Sequence, residues 1–145
     1  MFERYNESAR GLIFGARDEA SRYGSPTIDP EHLLLGLMRR ETSPSQFLQS
    51  PDAATSIRKQ IESRTAGREK IWTSTDYPLS HDSKQVLSYA AEEADALGHW
   101  IIGSAHIVLG LLRLEPSLAA KLLEDHGMNY AAYREVVQAS PPAGS

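Results

Sequence analysis

The chain contains 145 residues, of which 41% are hydrophobic and 23% are charged, a balance typical of a globular domain. It has no cysteine, which excludes disulfides, thiolate metal sites and a cysteine nucleophile. A net charge of −4 argues against general nucleic-acid binding, and the apolar runs fall far short of the roughly 20 residues that cross a bilayer. Because the N-terminus also lacks the apolar segment of a secretory signal, we expect a cytoplasmic protein that binds neither nucleic acid nor membrane.

The first part of the chain predicts two helices separated by a short extended link. Apolar residues recur at helical spacing from Ala9 to Tyr23, and Gly24 follows where a left-handed residue would end a helix. The second helix, at about residues 30–40, is largely apolar and should be buried. Pro30 suits its first turn, because the missing N–H of proline has no helical partner there anyway.

Two shorter helices are predicted next, at about residues 45–50 and 53–66, the latter capped by Asp52. The end of this region is basic, which we interpret as a solvated helix face and loop. Its cations are Arg58, Lys59, Arg64, Arg68 and Lys70. Residues 67–79 lack periodicity and are predicted to be a linker.

The second half of the chain repeats the first. When residues 5–39 are shifted by 74 positions onto residues 79–113, ten of the 35 pairs are identical. The identical pairs are Ala16/Ala90, Glu19/Glu93, Ala20/Ala94, Gly24/Gly98, Ile28/Ile102, His32/His106, Leu35/Leu109, Gly36/Gly110, Leu37/Leu111 and Arg39/Arg113. The matching glycines predict the same helix breaks in both copies, with Ser104 as the cap of the later buried helix. Two more helices follow, at about 117–126 and 130–139, the second capped by Asn129.

These patterns predict an all-α protein with eight helices, four in each copy, in one compact domain. We expect the domain to span residues 1–139, with repeat one at about 1–66, the linker at about 67–79, repeat two at about 80–139, and a tail at 140–145. The predicted core consists of Leu12, Ile13, Leu34, Leu35, Leu37, Val86, Leu87, Val108, Leu109 and Leu111.

No arrangement of residues indicates catalysis. The chain has no phosphate-binding loop of the form G-x-x-x-x-G-K-[ST], no G-x-S-x-G and no H-E-x-x-H, so we expect no enzyme activity and no cofactor. His32 and His106 are equivalent in the two copies, which makes a zinc pair conceivable. The favoured interpretation is structural, with each imidazole bonded to nearby backbone, so no metal site is predicted. The adjacent acidic pairs at 18–19 and 92–93 are interpreted as solvated.

Two strings then indicate a family. Residues 30–37, Pro-Glu-His-Leu-Leu-Leu-Gly-Leu, and their partner at 103–111 resemble the motif T-E-H-[IL]-L-L-G-L of Clp N-terminal domains. The opening residues 1–5 and Leu97-Gly98-His99 are similar to the ClpC type. The resemblance covers about residues 1–139 and implies two four-helix repeats related by a pseudo-twofold axis. It further implies a non-catalytic module that docks substrate or adaptor proteins for a Clp ATP-dependent unfoldase or protease.

The resemblance also implies binding residues. In ClpC-type domains the motif glutamate helps to bind phosphorylated arginine; Glu31 keeps this residue, whereas Ala105 replaces it in the second copy. ClpC-type domains bind ligands near a phenylalanine and a lysine that match Phe2 and Lys84. Leu79, which begins the second copy, should border the seam between the copies. Phe2, Glu31, Leu79 and Lys84 are therefore the predicted protein-binding residues.

Three interpretations of the role remain open. The chain is a docking module that works with Clp ATPase or protease components, the N-terminal segment of a full-length ClpC-type AAA+ chaperone, or a free-standing regulator of Clp protease. Phosphoarginine-bearing proteins are possible partners only through Glu31. A small-ligand or metal-binding helical domain is the remaining class.

Overall fold

The computed structural model describes residues 3–39, 51–65, 68–70 and 77–142. Within these ranges the chain forms seven α-helices and no β-strand, which confirms the all-α prediction. The helices are α1 (Glu7–Arg22), α2 (Pro30–Met38), α3 (Pro51–Ser63), α4 (His81–Ala96), α5 (Ser104–Arg113), α6 (Leu118–Asp125) and α7 (Tyr130–Ala139). The helix predicted at about 45–50 lies outside the described residues. None of the helices in the described ranges is long and apolar enough to cross a membrane.

The helix ends follow local sequence signals. The Asn129 side chain accepts a hydrogen bond from the N–H of Ala132 at 2.9 Å, so the predicted cap of α7 is confirmed. Gly24, Gly98 and Gly127 all adopt positive φ, at 69°, 75° and 98°. A side chain is strained in this left-handed region, which is why glycine occupies these turns.

Two predicted caps lie inside the helix and not before it. Asp52 lies inside the first turn of α3, because the helix already begins at residue 51. Ser104 is the first residue of α5, and Gly103 holds the extended conformation that precedes it.

Two helix pairs, α1 with α2 and α4 with α5, are packed closely at glycines. A Cβ atom added to Gly36 would lie 2.3 Å from the carbonyl oxygen of Leu12. One added to Gly110 would lie 2.4 Å from the carbonyl oxygen of Val86. Both distances are far below van der Waals contact, so these backbones can meet only because glycine has no side chain.

One hydrophobic core joins the two copies. Nine of the ten predicted core residues are buried and belong to a single cluster. The exception is Ile13, which packs against the cluster but remains partly exposed. Its exposed face lines a cavity beside α1.

The two copies are also joined by backbone pairing. Tyr5 pairs with Ile102, and Ile28 pairs with Leu79, each as an isolated parallel bridge. A shift of 74 residues converts the first bridge into the second, since Tyr5 becomes Leu79 and Ile28 becomes Ile102. The start of each copy therefore contacts the link between the first two helices of the other copy.

The interpretation of both acidic pairs as solvated is wrong for one member of each. Asp18 and Glu92 are exposed, but Glu19 and Glu93 are only 2% and 5% exposed. Adjacent helical residues diverge by about 100°, so one carboxylate of each pair faces inward. Each buried carboxylate accepts hydrogen bonds from arginine side chains, which compensate its charge.

Candidate functional site

A cavity of about 290 Å³ opens beside α1, where the start of the second copy meets the first copy. We call it the α1 groove. Its lining residues are Arg10, Ile13, Phe14, Arg17, Ile28, Tyr77 and Leu79. They come from three separate segments of the chain. Four of them lie on α1, Ile28 lies in the link between α1 and α2, and Tyr77 and Leu79 lie just before α4.

Leu79 is the predicted binding residue that lies in this groove. The backbone holds it in place, because the N–H of Ile28 donates to the Pro78 carbonyl at 2.8 Å and the N–H of Ser80 donates to the Ile28 carbonyl at 3.0 Å. The Leu79 side chain is partly buried and packs against the core. It therefore forms an apolar wall whose backbone cannot shift without breaking the contact between copies.

Phe14 and two arginines give the groove its chemical character. The Phe14 side chain is 62% exposed, which is unusual because large aromatic side chains are mostly buried in folded proteins. The guanidinium carbon of Arg17 lies 5.0 Å from the centre of the Phe14 ring, within the range of a cation–π contact. Arg10 also lines the cavity, and the lining contains no carboxylate. The groove is therefore apolar and positively charged.

The sequence analysis missed Phe14, Arg10 and Arg17. One signal could have found Phe14, because it is an aromatic residue beside the apolar stripe of α1 and not within it. Arg10 occupies the position in the first copy that Lys84 occupies in the second. The first-copy cation Arg10 lines this cavity, whereas Lys84, the cation expected from the family resemblance, does not.

The structure does not bring the other predicted binding residues into the groove. Lys84 is exposed on the first turn of α4 and does not line the cavity. Phe2 lies outside the described residues. Glu31 lies on the first turn of α2 and also takes no part in the lining.

Glu31 is partly buried, and charged residues of both signs act on its carboxyl. Burial raises the pKa of the Glu31 carboxyl above its ordinary value, and the charge of Asp29 acts in the same direction. The positive charges of Arg64 and Arg68 act in the opposite direction. Glu31 is thus a partly buried carboxyl on which charges of both signs act.

The two equivalent histidines bond to nearby backbone, as predicted. The Nδ1 atoms of His32 and His106 accept hydrogen bonds from the N–H groups of Asp29 at 2.9 Å and Gly103 at 3.0 Å. Because Nδ1 accepts, the neutral imidazole carries its proton on Nε2, which then has no lone pair for a metal. The described residues contain no group of three potential metal-binding side chains.

Comparison with known proteins agrees with this architecture. The model of the Clp repeat (R) N-terminal domain matches residues 4–125 and 78–142. The chain belongs to this family. Its helical bundle is similar to the crystal structure of the N-terminal domain of ClpD, a caseinolytic protease associated chaperone from Arabidopsis thaliana. That match has a TM-score of 0.76 and 27% identity, and it covers 96% of this chain and 95% of the other.

The relatives of this Clp N-terminal domain are chaperone components of Clp systems. The chain is 36% identical over 143 residues to chaperone protein ClpC1, chloroplastic, of Arabidopsis thaliana, with 94% of this chain covered. It is 34% identical over 140 residues to an ATP-dependent Clp protease ATP-binding subunit ClpA homolog of Porphyra purpurea, with 95% covered. The chain spans only 15% and 17% of the lengths of these two relatives. The family domain is non-catalytic, and no ATPase motif occurs within these 145 residues.

Proposed function

We propose that this Clp N-terminal domain is a protein-binding module that docks substrate or adaptor proteins for a Clp unfoldase or protease. The observation that carries the proposal is the α1 groove, with its exposed Phe14 and the partly buried Leu79. Aromatic side chains in such grooves act as anchors, because they bury a large area at a small cost in conformational entropy. Relatives that are Clp chaperone components support a partner from the same system.

The test compares two exposed apolar residues. Phe14 and Val136 are 62% and 57% exposed, but only Phe14 lines the groove. Binding of an unfolded acidic protein such as casein to the purified chain is measured by titration calorimetry. Loss of a buried aromatic anchor costs about 2 kcal/mol, so Phe14→Ala should weaken binding about 30-fold, whereas Val136→Ala should leave it unchanged. Equal effects of the two substitutions would place docking elsewhere.

For the predicted residues outside the groove, we infer two separate contributions. Phe2 and Lys84 remain predicted contacts on the basis of family resemblance. Glu31 is proposed to receive a cationic group, including the guanidinium of a phosphorylated arginine, with Arg64 and Arg68 available to its phosphate. The partial burial of Glu31 and the positive charges of Arg64 and Arg68 near it support this assignment.

Free phosphoarginine is a direct probe of Glu31. Glu31→Gln keeps the shape of the side chain but removes its charge, and binding should fall about tenfold because a charged hydrogen bond is lost. Glu7→Gln is the matched control, since Glu7 occupies the first turn of α1 and is exposed. Titration followed by NMR should show unchanged binding for the control. If both variants bind phosphoarginine like the parent, Glu31 has no such role.

The two-repeat organisation is part of the same proposal. The bounds of α1 and α4 differ by 74 residues at both ends, and α2 and α5 begin 74 residues apart. The exchange of the two isolated bridges under the same shift also supports a pseudo-twofold relation. We expect an experimental structure to superpose residues 5–66 on 79–139 and to contain the eighth helix at about 45–50.

Two versions of the wider role differ in what accompanies the domain. In the first, the domain is the N-terminal segment of a ClpC-type ATPase, which the much greater length of the relatives favours. In the second, it is a free-standing regulator of Clp protease. The reading frame of the gene separates them, because only the first continues into phosphate-binding loops. A cytoplasmic location stays a prediction.

A further inference from the structure

The bridge between Ile28 and Leu79 leaves one backbone edge of the segment before α4 unpaired. The N–H of Ile28 donates to the Pro78 carbonyl, and the N–H of Ser80 donates to the Ile28 carbonyl. In an extended segment, the N–H and C=O of the residue between these two groups point to the opposite side. The backbone N–H and C=O of Leu79 therefore point away from Ile28, and they form no hydrogen bond within the described ranges.

This open edge lies beside the α1 groove. Tyr77 and Leu79 are two residues apart, so their side chains share one face of the extended segment, and both line the cavity. Ile28, the bridged neighbour of Leu79, lines the cavity as well. A polypeptide that paired with Leu79 would run about 4.8 Å from this segment, and every second side chain of it would point toward the same face. Those side chains would enter the groove.

The equivalent bridge at the start of the chain is closed. Tyr5 takes the place of Leu79 there, and its side chain is only 4% exposed, whereas Leu79 is partly exposed. The same shift of 74 residues puts Ser88 at the position of Phe14. The second copy thus has no aromatic side chain at this position, so the bridge at Leu79 is the one suited to an added segment.

Arg10 gives the α1 groove a charge that a ligand can match. Its side chain is exposed, and its guanidinium forms no hydrogen bond or ion pair with the part of the chain that the structure describes. The lining of the groove contains no carboxylate. A bound segment would therefore be favoured by a carboxylate on the face that it turns toward the groove.

We propose that the α1 groove binds its partner as an added β-strand, which pairs through its main chain with Leu79 and carries apolar side chains and a carboxylate on the face toward α1. This inference rests on the proposed docking function and specifies how docking occurs. Main-chain hydrogen bonds recognise any extended sequence, whereas the cavity selects the alternate side chains. The partner is therefore an extended segment of an unfolded or locally unfolded protein with this alternation.

The test uses a short synthetic peptide with blocked ends and the intact chain. Its odd positions are valine, leucine and one glutamate, and its even positions are threonine. Two further peptides carry N-methyl groups on the odd or on the even residues, so that each loses the backbone donors of one edge while all side chains stay the same. Titration calorimetry measures the affinity of all three for the purified chain.

An added strand pairs through one of its edges only. One methylated peptide should therefore bind about tenfold more weakly than the unmodified peptide, because hydrogen bonds to Leu79 are lost, and the other should bind like it. In NMR spectra the Leu79 amide signal should move downfield and exchange more slowly when the unmodified peptide is bound. The Ser80 amide, which already donates to Ile28, is the internal control and should change little. Equal affinity of the two methylated peptides would overturn the proposal.

The charge match is tested by Arg10→Gln, with Lys59→Gln as the matched control. Both side chains are exposed, but Lys59 lies outside the groove lining. Arg10→Gln should weaken binding of the peptide about threefold, as for an exposed ion pair, and should have no effect on a peptide with glutamine in place of glutamate. If the control weakens binding as much, the carboxylate is not recognised in the groove.

Phe14→Ala separates failure of this inference from failure of docking itself. If the variant weakens binding of the unmodified peptide while both methylated peptides bind the parent equally well, the groove docks side chains only. The proposed function then stands and the added strand is wrong. If Phe14→Ala leaves peptide binding unchanged, docking in the α1 groove is wrong, and the inference fails with it.

Discussion

At the scale of residues, the equivalent histidines His32 and His106 differ in the hydrogen bonding of their Nε2 atoms. The Nε2 atom of His106 lies 3.0 Å from Nδ1 of His99, so the proton on His106 has an acceptor. His32 has Ser25 at the position equivalent to His99, and its buried Nε2 atom has no hydrogen-bond partner within the described ranges. Burial lowers the pKa of both His32 and His106. Both imidazoles are therefore neutral structural groups at neutral pH.

His106 should make the stability of the domain depend on pH. Burial, assisted by His99, lowers the pKa of His106 from 6.5 to about 4. As pH falls from 6.5 to 4, the unfolded chain gains a proton that the folded chain does not bind, so the free energy of unfolding falls. The loss from this group should reach at most about 3 kcal/mol and should level off below the folded pKa. Urea unfolding at a series of pH values measures it.

The His106→Gln variant isolates this contribution. Its amide oxygen can still accept the N–H of Gly103, but it does not titrate, so the stability should vary less between pH 6.5 and 4. His81→Gln is the control, because His81 is exposed at the start of α4. A pH dependence that is identical in the parent and in both variants would show that His106 is not the responsible group.

At the scale of elements, close contact between helices depends on glycine. Gly36 lies where α2 meets α1, and Gly110 lies where α5 meets α4. These residues belong to the family motif, and the structure gives the physical reason for their presence. In both pairs a side chain would meet a backbone carbonyl, which cannot rotate away as a flexible side chain could.

Gly36→Ala should force α2 away from α1. The added Cβ would lie 2.3 Å from the Leu12 carbonyl, and overpacking of this kind costs about 1–3 kcal/mol of unfolding free energy. Gly98→Asn is the comparison, because position 98 has open space and asparagine tolerates positive φ. It should cost less than about 1 kcal/mol. Urea denaturation followed by circular dichroism measures the unfolding free energy of both variants. A smaller loss of stability for Gly36→Ala than for Gly98→Asn would contradict the close contact of α1 and α2 at Gly36.

At the scale of the whole molecule, the two copies share one core. Buried residues from α1 through α7 belong to a single hydrophobic cluster, and the two isolated bridges join the copies through their backbones. A small domain with one continuous core is expected to unfold in a single cooperative transition. The repeats should therefore be indistinguishable in stability, although each is recognisable in sequence.

Leu35→Ala tests this coupling. Leu35 and Leu109 are completely buried, so removal of either side chain should cost about 2–5 kcal/mol of unfolding free energy. With one shared core, Leu35→Ala should also speed global amide hydrogen exchange in α4 and α5, which belong to the other copy. Leu109→Ala should give the reciprocal result in α1 and α2. Exchange that accelerates only in the substituted copy would mean that the copies unfold separately.

The sequence by itself determined the features that depend on neighbouring residues along the chain. The helix breaks at Gly24 and Gly98, the cap at Asn129 and the apolar stripes could be predicted, because backbone angles and helical periodicity are encoded within a few positions. The internal repetition also revealed the family motif. Nine of ten core residues followed from these patterns.

Only the tertiary structure decided which surfaces come together. The α1 groove needs Phe14, Ile28 and Leu79 from three segments, so no local pattern could assign Phe14 to it or exclude Lys84 and Glu31. The burial of Glu19 likewise depends on Arg58, 39 residues away, because a carboxylate can leave water only where a distant cation compensates its charge. Local sequence specifies helices, whereas the positions of charges and cavities between helices are set by how those helices pack.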